Sequence, residues 1–82
     1  MEAPILESEQ YSELSAELNT GIILNINFNR YIGNEDVFHI FETYDLAIEF
    51  VEKKLTESSN YEFNIYNGTG ECLLTRDKNT KR

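Results

Sequence analysis

From Leu24 to Asn29 apolar and polar residues alternate without a break, with Leu24, Ile26 and Phe28 set against Asn25, Asn27 and Asn29. Successive strand side chains point to opposite faces, so the pattern predicts a strand over residues 22–31. Ile22, Leu24, Ile26 and Phe28 would face a core, and the three asparagines would line the other side. A strand covered on one face belongs to an antiparallel type of sheet. Upstream, Tyr11, Leu14 and Leu18 follow the i, i+3, i+7 spacing, with Glu9, Glu13 and Glu17 mostly on the opposite side. This predicts a short amphipathic helix within residues 6–18, with Ser8 as its N-cap and Asn19-Thr20-Gly21 as its stop.

Downstream, Val37-Phe38-His39-Ile40-Phe41 reads as a second strand, joined to the first in a hairpin across Gly33-Asn34. Thr43 caps a second helix, with Asp45 in its first turn at the positive end of the helix dipole. Ala47, Ile48, Phe50, Val51 and Leu55 make a broad apolar stripe suited to lying on a sheet, and Lys53 and Lys54 complement its C-terminal end. Residues 61–66 alternate again. Asn67-Gly68 predicts a type I′ turn into a fourth strand over residues 71–75. The expectation is an α+β fold in the order α-β-β-α-β-β, a small antiparallel four-stranded sheet with helices on one face. The expected spatial order of the strands is 2-1-3-4, with parallel pairing of the second and third as its rival. Residues 1–75 form one domain in this reading, and residues 76–82 a basic disordered tail.

Eighty-two residues support one modest core. The net charge of −8 is unevenly placed: Arg76, Lys78, Lys81 and Arg82 against Asp77 give the last seven residues +3, leaving residues 1–75 at −11. Such a body repels phosphate backbones, so direct nucleic-acid binding is not expected, whereas a basic protein is drawn in. The start of the chain has no basic segment followed by an apolar run, and no stretch approaches the length of a membrane span. A cytoplasmic, reducing setting is the expectation.

Reactive groups are sparse. One histidine and one cysteine, His39 and Cys72, cannot supply a four-ligand zinc site, and Cys72 has no internal disulfide partner. His39 alternates with Val37 and Phe41, which predicts a partly buried, satisfied sheet histidine, while Cys72 beside Leu73 and Leu74 packs as a small hydrophobe. The two glycines of Asn67-Gly68-Thr69-Gly70 lack the lysine and helix of a phosphate-binding loop. No catalytic residue, metal ligand or cofactor is assigned.

What remains is binding. One candidate surface is the sheet face carrying Asn25, Asn27 and Asn29, extended by Glu62, Asn64 and Tyr66. The other is the acidic surface formed by Glu35, Asp36, Glu42, Asp45, Glu49 and Glu52. In size and charge the chain is similar to small acidic bacterial immunity proteins and antitoxin-like inhibitors, although no motif ties it to such a family. The sequence therefore predicts a non-enzymatic, acidic protein-binding module that covers a basic partner such as a toxin or nuclease. The alternative is a structural or regulatory subunit that homodimerises through a sheet edge or an apolar helix face.

Overall fold

The computed structural model describes Pro4, Leu6, Glu7 and residues 9–80. Its elements are β1 (Tyr11–Glu17), β2 (Ile23–Leu24), β3 (Phe38–Phe41), α1 (Tyr44–Glu57), β4 (Tyr61–Tyr66) and β5 (Cys72–Arg76). The class is α+β as expected, but with one helix and five strands, all paired antiparallel.

The segment expected to be the first helix is instead the central strand. The first half of β1 pairs with β3 (Tyr11 opposite Phe41, Leu14 opposite Phe38) and its second half with β2 (Ser15 opposite Leu24). Its other edge pairs along its length with β4. The 2-1-3-4 order is thereby corrected: β1 stands between the first two expected strands and the third, β4, with β5 outermost. Bracketed on both edges, β1 buries Ser12, Glu13, Leu14, Ser15 and Ala16 in succession. A strand with three polar residues in its buried centre imitates the periodicity of a polar-faced helix. The expected cap, Ser8, lies outside the described residues.

The alternating run over residues 22–31, expected as one long strand, contributes only β2. Asn25 ends it, because its side-chain oxygen accepts from the backbone N–H groups of Asn27 and Asn29 at 2.9 and 3.1 Å. Its own N–H reaches the carbonyl of Asn29 at 2.8 Å. A side chain that offers the backbone local partners competes with the ladder. The turn carries Phe28 into the left-handed region, at φ 63°. Its ring is thereby aimed at Phe50 and Tyr61, with centroids 6.2 and 5.0 Å away.

The helix forms as read. The Thr43 hydroxyl accepts from the N–H of Leu46 at 3.1 Å, and Asp45 and Lys54 sit in the first and last turns. Ala47 and Val51 close on Phe63 and Ile65 to make a fully buried core, with Tyr11, Phe41, Phe50 and Leu74 packed around it. The hairpin of β4 and β5 also forms, through a wider turn than type I′. Asn67 accepts from the N–H groups of Thr69 and Glu71, and positive φ falls on Gly70. Arg76 completes β5, its guanidinium held by the Glu52 carboxylate at 3.0 and 3.3 Å and by the carbonyls of Asp77 and Thr80. Among the described residues no helix is long and apolar enough to cross a membrane.

Candidate functional site

Because α1 covers the face carrying Phe63 and Ile65, strand alternation sends their neighbours to the opposite face. Leu14 of β1, Phe38 and Ile40 of β3, and Glu62, Asn64 and Tyr66 of β4 share it, in the register that sets Leu14 between Phe38 and Asn64. No described helix lies on this side. A cavity of about 500 Å³ opens there between Leu6, Leu14, Phe38, Tyr66 and the turn at residues 67–70. A second hollow of about 440 Å³, between Tyr31, Glu35, Asp36, Phe38 and Ile40, shares Pro4 and Phe38 with the first, so the two adjoin and make this face a grooved one. Phe38 meets Tyr66 edge-on with centroids 6.5 Å apart, and Ile40 remains 43% exposed at the rim.

The groove's polar groups are asymmetric. Glu35 and Asp36 stand at one end, and among the described residues no lysine or arginine lines either hollow. Glu35 accepts from the backbone N–H groups of Ile32 and Asn34 at 3.0 and 3.1 Å. These contacts, the Ile32 N–H foremost, hold its carboxyl below the usual carboxylate range. Burial pushes the Tyr66 phenol above its ordinary value, with the charges of Cys72, Glu62 and Glu13 adding to it. Three of the cations elsewhere are engaged: Arg30 with Glu17 at 3.0 Å, Lys54 with Glu57 at 3.3 Å and Arg76 with Glu52 at 3.0 Å.

The expected binding residues separate into three places. Asn25 is buried as the turn-former, and Asn27 and Asn29 are exposed on that turn, not on a sheet face beside Glu62, Asn64 and Tyr66. Glu62, Asn64 and Tyr66 do share the helix-free face, where the Asn64 side chain accepts from the Thr75 hydroxyl at 2.7 Å. Asp45, Glu49 and Glu52 belong to α1, on the other side of the sheet, and Glu42 is bound by Gln10 at 3.0 Å. Of the acids, only Glu35, Asp36 and Glu62 lie with the groove or its face. Sequence reading missed Leu14, Phe38 and Ile40 as groove residues. Phe38 and Ile40 alternate with His39, a signal that was present but had no assigned face.

The structure also assembles a group that spacing does not announce. Glu13 and Ser15, both fully buried, lie on the helix side of β1, and His39 stands opposite Glu13 in the ladder. His39 is partly buried and hydrogen-bonded, as its alternation with Phe41 predicts. Ser15 donates to Glu13 rather than to the imidazole, so the three do not form a nucleophile-base relay. Cys72 is exposed, its sulfur near Asn64 and Thr75 on the helix-free face, across the sheet from His39.

No protein-family profile and no solved structure matches this chain. The chain is similar to an alanine–tRNA ligase of Picrophilus torridus, 30% identical over 77 residues. That match takes in 94% of this chain and 9% of the ligase, so the chain spans less than a tenth of its relative's length.

Proposed function

We propose that this chain is a non-enzymatic, acidic protein-binding module of inhibitor or immunity type, which takes a basic partner protein on the helix-free face of its sheet. The observation that carries the reading is the groove: an apolar floor of Leu14 and Phe38, an aromatic hydroxyl at Tyr66, acids at one end and, among the described residues, no lining cation. An apolar centre with a polar rim is the anatomy of protein interfaces, and a Lys or Arg of the partner meets Asp36 without displacing a resident cation. The net charge of −8 adds long-range attraction for a basic surface. It also disfavours transfer of the ligase's tRNA to this chain.

The test is affinity capture from the native host, using the full chain and its Ile40→Glu variant at low and high salt. Ile40 is exposed, so the substitution spares the core. The expected result is a basic protein retained by the unaltered chain at low salt and lost both with Ile40→Glu and at high salt. Retention of the same proteins by both chains at either salt rejects the reading. A second reading, a homodimer, draws on the outer edge of β5, which is unpaired among the described residues and carries Leu73 at 40% exposure. A solution-scattering mass of twice the chain favours it.

A further inference from the structure

The interior contains a carboxylate, Glu13, with none of its surface exposed. A lone ion in such a place carries a heavy desolvation cost unless its oxygens are occupied. Both are: one accepts from the Ser15 hydroxyl at 2.7 Å, and the other lies 2.9 Å from Nδ1 of His39. The second ring nitrogen of His39, Nε2, lies 3.1 Å from the carbonyl oxygen of Ile26. A carbonyl oxygen only accepts, so Nε2 carries a hydrogen. The contact between Nδ1 and the Glu13 oxygen needs another. A neutral imidazole and an ionised carboxylate supply one hydrogen for these two contacts, so the pair holds one proton more, whichever partner carries it.

We propose that this shared proton is a clamp: it fastens the loop at residues 25–36 to the sheet, and its loss as pH rises releases that loop and the acidic end of the groove. Glu13 and His39 are fixed opposite each other by the β1–β3 ladder, whereas Ile26 lies on a turn. Once the proton leaves, two acceptors face each other at one of the contacts, and the partner free to withdraw is the Ile26 carbonyl. The N–H of the same residue donates to the Asp36 carbonyl at 2.9 Å, so its withdrawal loosens the groove wall directly.

The surroundings of His39 decide how firmly the proton is held. On one side Phe28 stacks at 5.6 Å, and Phe50 of α1 lies 4.6 Å away, so the ring is partly shielded from water. Lys54 of α1 rests against both of those rings and pairs with Glu57, and its charge favours release. From β1 come Glu13 in direct contact and Glu17 held by Arg30, and from β4 the Tyr61 ring against Phe28.

The test uses the full unaltered chain. Nitrogen NMR shifts of the His39 ring are followed with pH, together with amide exchange corrected for its intrinsic base catalysis. The clamp predicts that on the acid side of the titration Nε2 bears hydrogen, while Nδ1 either bears one or accepts one from Glu13. It also predicts that protection at Ile26 and its neighbours falls roughly tenfold or more as the Glu13–His39 pair loses its proton, while Phe63 and Ile65 keep theirs. A bare Nε2 on the acid side of the titration, a loop indifferent to the titration, or loss of protection throughout the sheet at the same midpoint overturns it. None of these outcomes depends on whether the helix-free face binds a protein.

Discussion

Glu13 and Glu35 are carboxylates of the same chemistry placed in opposite surroundings. Glu13 is enclosed by Ser15 and His39 in the interior, whereas Glu35 ties a surface loop by accepting from backbone N–H groups. The Glu35 contacts favour its charged form in the folded chain, so it binds its proton less readily there than when unfolded. Its stabilising effect is therefore complete above the ordinary carboxylate range and disappears as pH falls through its lowered folded value. Urea unfolding of the native chain and of Glu35→Gln checks the sign: the native chain is the more stable at neutral pH, and the gap closes in acid. Glu17 follows the same direction because the Arg30 guanidinium binds it. The His39 environment was partly legible from its alternation with Phe41. The burial of Glu13 was not, since its partner lies 26 residues away in sequence.

At the scale of elements, the helix was the most readable because its determinants are local. The Thr43 cap, the first-turn Asp45 and the Ala47–Val51 stripe all lie within one segment. Removing the cap with Thr43→Ala should cost about 1 kcal/mol in chemical denaturation. The run at residues 22–31 was misread because alternation reports a tendency, and the Asn25 side chain overrides it by satisfying two backbone donors locally. Asn25→Ala strands those donors and should cost about 1–3 kcal/mol, whereas Asn27→Ala, at an exposed position, should stay within about 0.5 kcal/mol. Equal effects of the two substitutions in urea unfolding would contradict the assigned role. The identity of β1 as a strand was hidden for the reason that hid Glu13: Glu13 and Ser15 are satisfied by His39 of β3 and by each other, and no local pattern records that.

At the scale of the molecule, the described residues place one helix on one face of the sheet and none on the other, and that asymmetry underlies the functional reading. The single core concentrates stability at Phe63 and Ile65. Phe63→Ala should remove about 3–5 kcal/mol, a large part of the roughly 5–15 kcal/mol typical of a domain, and a thermal melt would show a chain at the edge of unfolding. The acids most apparent in the sequence lie on several elements. Their sum is legible in composition, but the groove is not, because it is made by residues brought together from β1, β3, β4 and the turn at 67–70. The most direct test of the central claim is to titrate the captured basic partner into the isotopically labelled chain and map amide shift changes. The account predicts changes concentrated at Leu14, Phe38, Ile40, Asn64 and Tyr66. Changes confined to the solvent side of α1, around Glu49 and Lys53, would contradict it.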